Sequence, residues 1–228
     1  MITGSFTKQL SLEERASKSL GTSSAAIYRM VASSLSQRSD GRGILLDVGC
    51  GTGQLRPFVQ EMCTRYVGVD AVRYTGFPAD VEFHRADLDA GETCLPGGSA
   101  DVVIAVETIE HLENPRAFMR ELVRLAKPGG WVVVTTPNQL SFLSLLTLTL
   151  KKRFAAFQDV DYPAHLTALL EIDLRRIANE CRLTDVDVMY SLRGRIVLTP
   201  YHYPQFLSRL FPRMMSDNLL LIGRKKDA

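Results

Sequence analysis

The segment Leu45-Leu46-Asp47-Val48-Gly49-Cys50-Gly51-Thr52-Gly53 constrains this chain more than any other. An apolar run carrying Val48 leads into three glycines at alternate positions. The run reads as a buried parallel strand. The glycines read as a strand-to-helix turn whose backbone lies against a ligand, because a Cβ there would block the approach. Helix-favouring residues follow from Gln54 to Cys63. The first N–H groups of that helix lack internal partners, so they form a site for an anionic group.

Turns of this kind bind either a dinucleotide or S-adenosylmethionine. Tyr66-Val67-Gly68-Val69-Asp70 is a short β-rich run ending in an acid, and an acid there accepts from ribose hydroxyls. Alone it fits both ligands. A third candidate strand, Val81 to Ala86, ends at Asp87-Leu88, where the Asp can accept from an adenine amine and the Leu can cover the ring. The dinucleotide fingerprint needs two residues before its third glycine, whereas only Thr52 separates Gly51 from Gly53. A nicotinamide enzyme is disfavoured on that spacing.

These motifs, followed by Ala100 to Glu107, Glu110-His111-Leu112 and Leu125 to Gly130, resemble the class I S-adenosylmethionine-dependent methyltransferases. The likeness is strong over roughly residues 40 to 140 and loose elsewhere. It implies an α/β fold: a Rossmann-like, doubly wound, seven-stranded sheet, mostly parallel with an antiparallel last strand and helices on both faces. It also implies an enzyme that uses S-adenosylmethionine and releases S-adenosylhomocysteine. The expected cofactor-binding set is Asp47, Gly49, Cys50, Gly51, Gly53, Asp70, Ala71, Asp87, Leu88, Val106 and Glu107. Within it the glycine turn takes the methionine carboxylate, and the resemblance places Asp47 near the ammonium group. Asp70 takes the ribose, and Asp87 with Leu88 takes the adenine. Val106 and Glu107 end the fourth strand beside the switch point where such sheets bind ligands.

A chain of 228 residues fits one domain with a sizeable core. The expected organisation is a helical cap over 1–40, a cofactor core over 41–137, and acceptor-side insertions at 138–168 and 193–216. The cap carries a helical pattern from about Ser11 to Arg38. Further elements are expected at Trp131 to Thr136 (strand), Leu169 to Cys181 (helix), Leu183 to Ser191 (strand) and Leu219 to Gly223 (strand). The four cysteines form no close pair, so a reducing cytoplasm is the expected setting. No apolar signal core or bilayer-length apolar stretch is visible. Net charge of +2 disfavours a nucleic-acid partner held by bulk electrostatics.

Methyl transfer from a sulfonium needs the nucleophile held in line and water kept out. A base is needed only for an acceptor protonated at neutral pH. His111 and His165 are the candidate catalytic residues. Glu107, Glu110 and His111 are spaced to share a helical face, and with His165 they resemble the metal set of some ubiquinone-pathway and small-RNA methyltransferases. The same Glu-His pair is widespread in relatives that use no metal, so no metal ligand is assigned.

The acceptor is expected to be a small molecule or glycan, methylated on oxygen. Alternatives are a metal-assisted O-methyltransferase acting on a quinone precursor or RNA end, and a non-catalytic subunit that binds the cofactor. The Leu-rich stretch Leu140 to Leu150, followed by Lys151-Lys152-Arg153, is expected to be a lid helix packed on the domain. A membrane-surface helix or a site for a lipid-linked acceptor is its rival. Arg193 to Met215 interleaves Arg and aromatic residues.

Overall fold

The computed structural model describes residues 21–38, 43–91 and 93–227. In chain order the elements are α1 (Ala25–Ser36), β1 (Ile44–Val48), α2 (Arg56–Val59) with a 3₁₀ turn (Gln60–Met62), β2 (Arg65–Asp70), β3 (Glu82–Arg85) and β4 (Ala100–Val106). A second 3₁₀ turn (Ile109–His111), α3 (Pro115–Leu125), β5 (Ala126–Pro137), α4 (Phe142–Lys151), α5 (Glu171–Glu180), β6 (Leu183–Tyr190), α6 (Gln205–Leu210) and β7 (Asn218–Lys225) follow. The part of the expected N-terminal helix before Gly21 lies outside the described residues.

One seven-stranded sheet runs β3-β2-β1-β4-β5-β7-β6. The pairings from β3 to β5 are parallel. β7 runs antiparallel to both β5 and β6, as expected of the last strand. Strand order reverses between β1 and β4, which leaves a crevice at their C-terminal ends.

The period-2 alternation of β4 builds two cores. Val103 and Ala105 face one side, against Phe118, Met119, Leu122 and Leu125 of α3 and Leu174 and Ile177 of α5. Val102, Ile104 and Val106 face the other, against Ile27, Val31 and Leu35 of α1 and Leu55 and Val59. Both faces are covered, so these strands read as continuous apolar runs. α3 starts cleanly because Pro115 sits at its first position and Asn114 Oδ1 accepts from the Ala117 N–H at 3.0 Å. Full burial of each leucine contributes about 1.5–3 kcal/mol.

Three expectations need correction. The helix after the glycine turn is one turn of α followed by 3₁₀, and β2 begins soon after at Arg65. The residues after β4 form a 3₁₀ turn, so Glu107 does not share a helical face with Glu110 and His111. α4 is not a packed lid: among its residues only Ser144 is buried, and Leu150 is 73% exposed. Two of its hydroxyls bond backwards instead, Thr147 to Leu143 O at 2.7 Å and Thr149 to Leu145 O at 2.9 Å.

Candidate active site

The glycine turn is held by protein as well as being open to a ligand. Gly49, Gly51 and Gly53 have φ of 81°, 51° and 76°. These values favour glycine. A Cβ at Gly51 would lie 2.1 Å from the Gly21 carbonyl oxygen, and one at Gly49 would lie 2.2 Å from Thr108 Oγ1. Two protein segments therefore occupy the space that side chains would need. That space is not left to a ligand alone. Thr52 completes the brace by donating its N–H to Gly21 O at 2.9 Å.

A cavity of about 450 Å³ opens over this turn, at the crevice between β1 and β4. Of the expected cofactor residues, Asp47, Gly49, Cys50, Gly51, Asp70, Ala71, Leu88, Val106 and Glu107 line it. Gly53 lies behind the wall, its N–H donating to Cys50 O at 2.8 Å. Asp87 is exposed and outside the lining, and its Oδ1 accepts from the Asp89 N–H at 2.9 Å. His111 and His165 line the same cavity. Sequence reasoning missed Gly21-Thr22-Ser23, Tyr28, Tyr74, Thr108 and the strap around Asp161. Only Tyr28 carried a signal, as a polar aromatic on the apolar face of α1. Its hydroxyl accepts from the Ser23 N–H at 2.8 Å.

The buried acids are tuned by their surroundings. Asp70 Oδ2 accepts from the Gly51 N–H at 2.8 Å, and its Oδ1 accepts from the Ala71 N–H at 2.7 Å. Burial raises its pKa, and the backbone donors oppose the rise. A carboxylate offers about four lone-pair sites, so capacity remains for further donors. Asp47 accepts from the Tyr66 hydroxyl. Desolvation pushes it up to about 7, against the lowering effect of Tyr66 and with a smaller push from the Asp70 charge.

Glu107 sits at the end of β4 with a φ of 50°. For a non-glycine residue this is a strained conformation that surrounding contacts must hold. Its N–H donates to Thr135 Oγ1 at 3.0 Å, and its carboxylate accepts from Asn218 Nδ2 at 2.9 Å. Desolvation raises it to about 7. Glu110 is fully buried; neither carboxylate oxygen completes a hydrogen bond of good geometry among the described residues, although the Thr136 hydroxyl lies near enough to oppose the rise in its pKa. Burial and the neighbouring Glu107 charge hold it well above the usual carboxylate range.

Two histidines complete the wall. His111 Nδ1 lies 2.6 Å from Ala164 O, and His165 Nδ1 meets Ala156 O. A carbonyl only accepts, so each Nδ1 carries the proton and each Nε2 is the basic nitrogen. The rings stand 4.8 Å apart. The strap carrying His165 is tied down because Leu166 and Thr167 donate N–H groups to Glu110 O at 2.9 and 3.0 Å. Glu110, His111 and His165 thereby offer ligand atoms all within 4.8 Å of one another, while Glu107 is engaged with Asn218.

A second cavity of about 590 Å³ shares Thr22, Ser23, Glu107 and His165 with the first. Arg29, Arg193, Arg195 and His202 lie around it.

Comparison with known proteins agrees with this arrangement. A family model described as a methyltransferase domain matches residues 25–185. A probable S-adenosylmethionine-dependent methyltransferase of Mycolicibacterium smegmatis is 33% identical over 118 residues, covering 50% of this chain and 46% of the relative. A ubiquinone biosynthesis O-methyltransferase of Albidiferax ferrireducens is 32% identical over 105 residues, covering 42% of this chain and 41% of the relative. The chain thus matches less than half the length of these curated relatives. Among solved structures, a SAM-dependent methyltransferase from Archaeoglobus fulgidus has a TM-score of 0.64 at 16% identity, covering 94% of this chain and 100% of that one. That likeness is one of fold. The matched family model, together with the glycine turn and sheet order, establishes that this chain belongs to the class I S-adenosylmethionine-dependent methyltransferases.

Proposed function

We propose that this chain transfers a methyl group from S-adenosylmethionine to an oxygen of a small-molecule or glycan acceptor. The observation that carries the reading is a single cavity joining the glycine turn and two buried acids to a histidine pair. The residues fit the cofactor: a glycine-lined crevice admits its backbone-facing groups, and Asp70 keeps acceptor capacity for hydroxyls. Gly49, Gly51 and Asp47 would hold the amino-acid end, Asp70 the ribose, and Leu88 the adenine face. Asp87, being exposed, is the weakest member of that set. Residues 41–137 act as the cofactor core, with 138–168 and 193–216 on the acceptor side.

When bound, S-adenosylmethionine supplies an electrophilic methyl with a good leaving group. His111 Nε2 takes the acceptor hydroxyl proton while Ala164 O holds the ring by Nδ1. The 161–167 strap excludes water from that side. Oxygen as the methylated atom draws support from the ubiquinone O-methyltransferase relatives. The acceptor's place is where the second cavity meets the first, at the shared Glu107 and His165 wall, with its reacting hydroxyl in the first cavity beside His111.

A second reading adds a divalent cation. The Glu110, His111 and His165 cluster favours it, as does the complete burial of the Glu110 carboxyl within that cluster. Those three residues would hold the ion, whose chemistry is to acidify an acceptor hydroxyl. Both Nδ1–H groups already donate to carbonyls, the outer-shell arrangement that orients imidazole ligands.

Calorimetric titration with S-adenosylhomocysteine, with and without Mg²⁺, tests both readings. Binding in both conditions supports the cofactor assignment, and absence of binding in both overturns it. Mn²⁺ titration of the native chain against Glu110→Gln decides the cation. Equal heats, or none, remove the second reading. Tight cofactor binding without turnover across hydroxylated acceptors would favour a non-catalytic subunit.

A further inference from the structure

The large apolar side chains that stand exposed are not scattered. Of twelve among the described residues, eleven lie in two segments, 142–162 and 198–214. Leu150 and Phe206 are 73% and 66% exposed. The two segments meet, because the Phe142 N–H donates to Met214 O at 2.8 Å and Asn138 Nδ2 donates to Arg213 O at 2.6 Å. Patches of this kind on a folded chain mark interaction sites.

Charge identifies the partner. Seven of the chain's 27 Lys and Arg fall within 142–162 and 192–216, against two of its 25 Asp and Glu, Asp159 and Asp161. The remainder of the chain is therefore net acidic. Arg153, Arg195 and Arg213 pair with Asp159, Asp217 and Glu171. Lys151, Lys152, Arg193 and Arg209 are exposed and have no carboxylate partner among the described residues. We propose that α4 and the 193–216 segment form one docking face for an anionic lipid bilayer. Exposed apolar side chains would enter the headgroup boundary while the cations meet lipid phosphates. A second copy of the chain is disfavoured as the occupant, because a twofold contact would set these cations against one another. Val160, which is 90% exposed, also lines the main cavity, so the docked face would border the cavity mouth. The inference does not depend on the methyl-transfer reading.

Vesicle co-sedimentation of the full chain tests it. The native protein should partition at least ~10-fold more onto phosphatidylcholine vesicles containing about one-third phosphatidylglycerol than onto phosphatidylcholine alone. The Leu150→Asp/Phe206→Asp and Lys151→Glu/Lys152→Glu pairs should each remove that gain. Circular dichroism of the same samples reports folding, and S-adenosylhomocysteine titration reports the cofactor site separately. No vesicle binding, or binding unchanged in both variants, overturns the proposal. A dimer seen by light scattering and broken by Leu150→Asp, without vesicle binding, would assign the face to a second copy and equally overturn it.

Discussion

The carboxylate of Asp70, at the end of β2, accepts the Gly51 N–H at 2.8 Å across 19 residues of sequence. The acid expected to hold the ribose is thus also a strut of the glycine turn. On that expectation, binding and stability share one side chain.

Asp70→Ala is expected to lower S-adenosylhomocysteine affinity and also to destabilise the ligand-free chain by about 1–3 kcal/mol, since the Gly51 and Ala71 N–H groups lose their acceptor. Urea unfolding beside calorimetry separates the two losses. Unchanged stability with lost affinity would mean that the strut carries no weight.

Gly51→Ala should abolish cofactor binding and lower stability together. The new methyl would meet the Gly21 carbonyl oxygen at 2.1 Å, with φ at 51°. Thermal unfolding and titration check this, and native-like values in both would refute the close approach. Gly91→Ala, where nothing lies within 4 Å of the added Cβ, controls for backbone strain at positive φ.

Glu107 has its pKa raised from 4.5 to about 7. A carboxyl with a raised folded-state pKa binds its proton more tightly when folded, so its contribution is present at low pH and is lost as pH rises through that window. The thermal midpoint of the ligand-free chain, taken from about pH 5 to 8, should fall less steeply in Glu107→Gln than in the native protein. Parallel profiles would mean that Glu107 is ionised throughout.

His111→Ala should reduce turnover by about 10²–10⁴-fold while leaving S-adenosylhomocysteine affinity within a few-fold. His111→Gln keeps a polar group without the base and should not restore rate. A variant that binds weakly but turns over at the native rate would place His111 in binding alone.

Local chemistry carried far into the fold. Parallel strands buried on both faces must be apolar throughout, which made β1, β2 and β4 readable. A turn at positive φ must use glycine, which made Gly49, Gly51 and Gly53 readable. Asp47, Asp70 and Leu88 fall at or just past the ends of β1, β2 and β3, which brings them to one edge of the sheet and into one cavity. Segment bounds near those strands shifted by only a residue or two, as with β2 at Arg65–Asp70.

What tertiary structure decided depends on contacts across long sequence separations. Nothing local to Glu107 shows that Asn218 would engage it, or that Gly21 would fill the space over Gly51. Nor does spacing alone separate Glu110, His111 and His165 from Glu107, because that division arises from a 3₁₀ turn and a strap anchored on Glu110 O. The Leu-rich α4 makes the point most directly. Its composition is that of a buried helix, yet among the described residues its leucines are at most half-buried and Leu150 is 73% exposed. Periodicity records which residues could be buried, and only the packing of the remaining chain determines which of them are.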